Sequence, residues 1–327
     1  MKILADASLP GLELAYPAPF TLFKYQNLDT ADMPRDVEQW SDIEALVCRS
    51  TLKVNIALLQ HFPSLKVVLT ASSGIDHIDA DALTLKGIHL FDAKGANAIA
   101  VADYVKFVLD IVPFGGKSVV VIGMGFVGTA VFHRLTALGY NVVGIDPYLK
   151  PYRHDLYNAL KHADIVTLHT NYHHDKPYPS HNLVNENFLN HLRDNTLLIN
   201  AARGGIVDES TLLAHQHRLI YCTDVYQNEP EINPAIVAMA TVATPHIAGH
   251  SIEAKIRAVH VLSDKLHAFC GLPKIERPAF TLSTNASPYN PLEETLTLKQ
   301  AQNLKECFLT LRKAHTFRHE LLQSHDR

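Results

Sequence analysis

The sequence is short of the features that mark several broad protein classes. Only four of 327 residues are cysteine, and Cys48, Cys222, Cys270 and Cys307 form no Cys-x-x-Cys pair. That excludes a disulfide scaffold and the usual spacing of a zinc or redox site. Excess charge is small: 29 Lys and Arg against 33 Asp and Glu leave a formal net charge of −4. A basic face large enough for a phosphate backbone is therefore not expected, and neither is a nucleic-acid partner. Long apolar runs are missing as well. The start, Met1-Lys2-Ile3-Leu4-Ala5-Asp6, meets an acid too early for a signal peptide or a membrane span, so a cytoplasmic protein with no membrane partner is expected. Internal repeats and low-complexity tracts are absent. Histidine is more frequent than usual, at 20 residues, but His173-His174 and His215-Gln216-His217 lie in polar stretches without ordered Cys or carboxylate partners. No metal site is expected.

What is present is an ordinary globular composition, with 47% hydrophobic and 19% charged residues. At about 100–200 residues per domain this length divides into two or more domains. Short apolar runs alternate with segments of helical period over most of the chain, the pattern of α/β units around parallel sheets. Strands are expected at residues 3–5, 21–23, 45–47, 67–69 and 88–91 for a first sheet, followed by a helix from Ala98 to about Ile111. Pro113-Phe114-Gly115-Gly116 ends that helix. A second, more apolar series follows at residues 118–122, 142–145, 165–168, 196–199, 220–223 and 241–243, enough for a six-stranded doubly wound sheet. A long helix is expected over residues 251–269, a linker over 282–291 and a charged helical tail over 292–322.

Directly after the strand ending at Ile122 stands Gly123-Met124-Gly125-Phe126-Val127-Gly128. Three glycines alone are weak evidence, but here they sit between a strand and a helix. In that setting the first allows a tight turn, the second lets backbone N–H groups approach a pyrophosphate, and the third lets the helix pack on the strand. The next strand ends at Asp146, close to the spacing at which an acid takes the adenosine ribose hydroxyls. An acid there repels a 2′-phosphate, which favours NAD over NADP.

Three further polar residues stand at the ends of later strands, where doubly wound sheets bind their ligands. Arg203 sits on a turn before Gly204-Gly205, Glu229 precedes Pro230, and His246 follows Thr244-Pro245. Taken singly, each has an ordinary alternative: a surface ion pair, a solvated acid, a core histidine. In the first half of the chain, Arg49-Ser50-Thr51-Leu52-Lys53 places two cations and two hydroxyls at the end of an apolar strand. Such a loop can hold a phosphate; alternatively its cations are solvated or pair with acids such as Asp6.

Asn97-Ala98-Ile99-Ala100-Val101-Ala102-Asp103-Tyr104, the glycine loop, Asn200-Ala201-Ala202-Arg203-Gly204-Gly205-Ile206-Val207-Asp208, residues 224–230 and Thr244-Pro245-His246-Ile247-Ala248-Gly249 occur in this order. Together they resemble the D-isomer-specific 2-hydroxyacid dehydrogenases. The resemblance implies an α/β fold in which a doubly wound Rossmann domain (residues 96–249) is inserted in a flavodoxin-like substrate domain (1–95 and 250–274). Residues 275–327 would form a linker and a helical extension, resembling a shortened dimerisation module. It also implies an NAD-dependent enzyme that acts as a homodimer, with Arg203, Glu229 and His246 as its catalytic set. Gly123, Gly125, Phe126, Val127, Gly128, Asp146, Thr170, Ala201, Ala202, Arg203, Asp224 and Gly249 are the implied cofactor residues, with Asp224 near the nicotinamide. Residues 48–55 and 70–77 are similar to the substrate loops of members that take a phosphorylated hydroxyacid, which points to Arg49, Ser50, Lys53, Ser72 and His250 as substrate contacts. Three departures stand out: Asn171 where proline commonly follows His-Thr, a short link at residues 112–117, and His250 where such members tend to carry tyrosine. A different hydroxyacid substrate, a dinucleotide-sensing repressor on the same fold and an inactive homologue are the competing expectations.

Overall fold

The computed structural model describes residues 1–28, 40–277, 291–315 and 319–320. Apart from Pro291, the linker expected over 282–291 lies outside them, as do residues 316–318 and 321–322 of the expected tail. The chain divides into two compact units, Met1–Asn97 with Ile252–Ser283, and Ala98–Ser251 with Thr284–Arg327.

The first unit holds five parallel strands, β1 (Lys2–Asp6), β2 (Thr21–Tyr25), β3 (Ala45–Cys48), β4 (Val67–Thr70) and β5 (His89–Asp92), in the order β2-β1-β3-β4-β5. This is the flavodoxin-like arrangement. β3 and β4 are covered on both faces, so every residue in them is buried, whereas the edge strands β2 and β5 stay partly exposed. The helix Ile252–Phe269 completes this core, packing Ala258, Val259, Leu262 and Leu266 with Ile3, Val47 and Leu69.

The second unit holds β6 (Ser118–Ile122), β7 (Asn141–Ile145), β8 (Ile165–Leu168), β9 (Thr196–Asn200), β10 (Leu219–Thr223) and β11 (Val242–Ala243). All are parallel, in the order β11-β10-β9-β8-β6-β7. Because successive side chains of a strand alternate in direction, the central strands feed two cores. Val120, Ile122, Val166, Leu168 and Leu198 enter one, while Val119, Val121, Ile165, Leu197 and Ile199 enter the other. Burial of each such side chain stabilises the fold by about 1.5–3 kcal/mol.

The helix Ala98–Ile111 spends its apolar surface within this unit. Val101, Tyr104, Val105 and Val108 are all buried in the second core, so that surface does not by itself call for a second subunit. The helices Pro291–Gln300 and Leu304–Ala314 add Leu298 and Phe308 to the first core. At the sheet edge Thr295 Oγ1 accepts the Ala243 N–H at 2.9 Å, giving an edge-strand donor a partner. Among the described residues no helix is long and apolar enough to cross a membrane.

Candidate active site

The glycine turn between β6 and the helix Phe126–Ala137 shows three different uses of the missing side chain. Gly123 has φ +89°, and a Cβ there would lie 2.7 Å from the Thr170 backbone nitrogen. At Gly128 a Cβ would fall 1.8 Å from the Gly123 carbonyl oxygen, so the helix rests directly on the turn. Nothing lies within 4 Å of a Cβ at Gly125, which caps the helix without a side-chain bond. The first-turn N–H groups after it, beginning at Phe126 and Val127, form a cradle for an anion. Thr170 Oγ1 is buried and has no protein hydrogen-bond partner, as expected of a hydroxyl kept for a ligand. At the end of β7, Asp146 accepts the Met124 N–H at 3.0 Å with one oxygen and the Tyr148 N–H at 3.0 Å with the other. A carboxylate has about four acceptor sites, so these bonds leave room for ribose hydroxyls. The residues present fit a dinucleotide.

Arg203 follows β9 on a turn shaped by Asn200. That buried amide accepts the Ala202 N–H at 3.2 Å and donates to the Arg203 carbonyl at 3.1 Å. Ala202 is buried and Ala201 partly so, and the Arg203 guanidinium reaches back to the Ala202 carbonyl at 2.8 Å. At Gly204 a Cβ would lie 1.9 Å from the Tyr226 carbonyl oxygen. The arginine turn thus lies against the loop after β10 that carries Glu229.

Glu229 Oε1 accepts the Tyr226 N–H at 2.9 Å, and Oε2 lies 2.7 Å from Nδ1 of His246. Burial pushes the Glu229 carboxyl up, but the His246 ring, the Tyr226 N–H and the Arg312 cation outweigh it and hold it below its ordinary value. An ionised carboxylate only accepts, so Nδ1 carries a proton in this pair, and in the neutral form of the ring the lone pair lies on Nε2. His246 itself has φ +56°.

Asp224 is wholly committed to holding this histidine. It is 1% exposed, and it accepts the Thr244 hydroxyl at 2.7 Å, the Ile247 N–H at 2.7 Å and the Ala248 N–H at 2.8 Å. Tyr104 joins the network through a 2.7 Å contact with the Thr244 hydroxyl. Burial drives the Asp224 carboxyl above its ordinary value against these bonds and the nearby His246. The sequence expectation put Asp224 near a nicotinamide and contained no sign that its side chain braces the His246 turn. Gly249 and His250 continue from that turn, with the His250 N–H returning to the Ile247 carbonyl at 2.8 Å.

The first unit contains its own polar loop after β3. Arg49 Nε donates to the buried Asp6 at 2.9 Å, the pairing that the sequence left open as an alternative. Ser50 and Lys53 are exposed, and Ser72 is partly buried at the end of β4. Burial and the Arg49 charge depress the ammonium of Lys255, on the helix Ile252–Phe269. The cation near Arg49 has no counterpart among the residues singled out from sequence. Elsewhere, the described residues contain no group of three His, Cys, Asp or Glu placed to hold a metal ion.

A parallel sheet with a glycine turn, an acid at the end of the next strand and a carboxylate–imidazole pair beyond later strands defines a nucleotide-dependent oxidoreductase. Residues 100–248 match the D-isomer specific 2-hydroxyacid dehydrogenase, NAD binding domain. A Legionella pneumophila protein named erythronate-4-phosphate dehydrogenase is 46% identical over 98% of this chain and 95% of its own length. One of the same name from Coxiella burnetii is 34% identical over 82% of this chain and 74% of its own. The fold also matches the NAD+-bound 3-phosphoglycerate dehydrogenase of Entamoeba histolytica, with TM-score 0.68 and 19% identity over 83% of this chain and 95% of that one. The chain belongs to the D-isomer-specific 2-hydroxyacid dehydrogenase family, and its cofactor is NAD.

Proposed function

We propose that this enzyme oxidises 4-phospho-D-erythronate at C2, giving 2-oxo-3-hydroxy-4-phosphobutanoate, a step toward pyridoxal 5′-phosphate (vitamin B6). The observation that carries the proposal is the 2.7 Å His246–Glu229 pair, set in a chain 46% identical to a relative of that name. Arg203 holds the substrate carboxylate through its planar fork. His246 Nε2 takes the C2 hydroxyl proton, and Glu229 steadies the imidazolium that forms. Bound NAD would supply the hydride acceptor for C2. Gly123, Gly125 and Gly128 with Asp146 and Thr170 would hold the dinucleotide, while Asp224 fixes the turn on which His246 sits.

For the phosphate, the loop of Arg49, Ser50 and Lys53 is the proposed subsite, with Ser72 and His250 as further substrate contacts. Lys255, whose ammonium is depressed first by burial and then by the Arg49 charge, supports this choice, because an anion would offset both effects. We further propose a cytoplasmic homodimer. Its support is the exposure of Leu292, Leu296 and Leu309 on the two C-terminal helices.

The test is NADH formation by the purified protein with a panel of 2-hydroxyacids. 4-Phospho-D-erythronate is expected to react fastest. A preference for 3-phosphoglycerate, or for glyoxylate or hydroxypyruvate in the reverse direction, moves the substrate assignment elsewhere in the family. No reaction with any of them favours a non-enzymatic homologue.

A further inference from the structure

Glu209 is a buried carboxylate that the mechanism above leaves unused. It opens the helix Glu209–Ala214 immediately after Asp208, whose own side chain already accepts the Ser210 and Thr211 N–H groups. The helix start therefore does not need it, and an acid serving only the helix dipole could stay in solvent. Instead Glu209 is 6% exposed, and its Oε1 accepts the Gln227 N–H at 2.7 Å.

That bond falls at a junction of the site. The Tyr226 N–H, one residue earlier, goes to Glu229 Oε1 at 2.9 Å. The carbonyl of the same Tyr226–Gln227 peptide is the group that packs on Gly204, next to Arg203. Asn228, between this peptide and Glu229, has φ +62°, a left-handed conformation that needs fixed neighbours. One peptide is thus held from the arginine turn on one side and by Glu209 on the other, and the residue that orients His246 follows two positions later.

We propose that Glu209 is a positioning residue for the proton transfer: it fixes the peptide leading to Glu229 and sets a second negative charge behind the Glu229–His246 pair. The proposal rests on the dehydrogenase role of that pair and not on the choice of substrate.

The charged and titratable groups around it are few. Glu209 faces Glu229 and the Tyr221 phenol of β10. Glu229 in turn faces His246, Tyr226 and, from the helix Leu304–Ala314, Arg312, while Asp224 lies near His246. At the other end of the short helix His215 pairs with Glu186 at 3.4 Å. Burial pushes the Glu209 carboxyl up, reinforced by Glu229 and opposed by the Gln227 N–H. As pH falls it takes a proton earlier than an exposed glutamate does.

The experiment compares Glu209→Ala and Glu209→Gln in the full-length protein with NAD. Its reporter is whichever 2-hydroxyacid of a panel reacts fastest, so an error in the substrate assignment leaves it intact. Glu209→Ala is expected to lower kcat about tenfold or more with KM changed less than about threefold. Glu209→Gln keeps an oxygen for the Gln227 N–H and should recover most of that loss. Its acidic limb of kcat/KM, however, should move to lower pH by about half a unit or more, because a negative charge that favours protonated His246 and Glu229 is gone. Its Tm at neutral pH should be no lower than that of the unsubstituted enzyme, since an uncharged side chain avoids the burial cost of an upshifted carboxylate. An acidic limb that stays in place in Glu209→Gln overturns the proposal, as does an unchanged kcat in Glu209→Ala. If Glu209→Ala does not fold, the pH profile of Glu209→Gln decides alone.

Discussion

Nδ1 of His246 stands 2.7 Å from Oε2 of Glu229, and the loops that bring them together both contain a residue in the left-handed region, His246 at φ +56° and Asn228 at φ +62°. Such conformations cost about 1–3 kcal/mol each for residues other than glycine. They persist because Asp224 grips the chain on both sides of His246, through the Thr244 hydroxyl before it and two N–H groups after it, and because Glu229 and Glu209 grip the Tyr226 and Gln227 N–H groups. The fold thus holds the imidazole in place before any substrate arrives.

If His246 is the general base, His246→Ala should lower kcat by about 10²–10⁴-fold and change KM little, because proton removal belongs to the transition state. Glu229→Gln should lower kcat and move the acidic limb of the pH–rate profile to lower pH, as the charge that favours imidazolium is lost. Steady-state kinetics across pH check both, and an unchanged profile in Glu229→Gln removes it from the pair.

Asp224→Ala removes the acceptor of the Ile247 and Ala248 N–H groups and one partner of the Thr244 hydroxyl, and frees the turn under His246. We expect a loss of about 3 kcal/mol or more in urea unfolding, together with a fall in kcat. Asp224→Asn, which keeps one acceptor oxygen, should lose less. Full stability in Asp224→Ala contradicts the bracing role.

Gly125 and Gly128 make a contrasting pair. At Gly128 the added methyl meets the Gly123 carbonyl at 1.8 Å, whereas at Gly125 it meets nothing within 4 Å. Gly128→Ala should therefore lower Tm, while Gly125→Ala should keep Tm and raise the Kd for NAD by about tenfold or more. Thermal melts and cofactor titrations separate the two, and normal NAD binding by Gly125→Ala argues against the pyrophosphate cradle.

The carboxylate of Asp146 accepts the Met124 and Tyr148 N–H groups and so is fixed at the end of β7. It should take a free ribose and repel a 2′-phosphate, so that kcat/KM for NAD exceeds that for NADP by about tenfold or more. Equal values for the two cofactors contradict this placement.

Much of the architecture was legible because it is written in short-range chemistry. The apolar runs that feed β3, β4, β6, β8 and β9 are nearly continuous, as buried parallel strands require, and Gly123 and Gly128 sit where only a hydrogen fits. The role of Asp224 was not legible, because its partners are mostly backbone N–H groups that every sequence carries. Glu209 is hidden for a similar reason: an acid in the first turn of a helix looks like an ordinary dipole partner until its burial is seen. For Arg49, sequence offered a phosphate or Asp6, and only the fold brings Asp6 of β1 within 2.9 Å. The helix Leu304–Ala314 has an amphipathic pattern that suits a subunit interface or a core equally, and Phe308 is wholly buried within the second unit, near the Tyr226 ring at 6.0 Å.

The central claim, a hydroxyacid dehydrogenase that recognises a phosphorylated substrate, is tested most directly by kcat/KM for 4-phospho-D-erythronate against unphosphorylated erythronate with NAD. A charge-assisted partner of a buried anion is worth about 2–5 kcal/mol, and each 1.4 kcal/mol is about tenfold. The phosphorylated substrate should lead by about a hundredfold or more, and Arg49→Ala, with its folding checked by Tm because Asp6 loses its partner, should erase most of that lead. Equal kcat/KM for the two substrates in the unsubstituted enzyme would contradict the account.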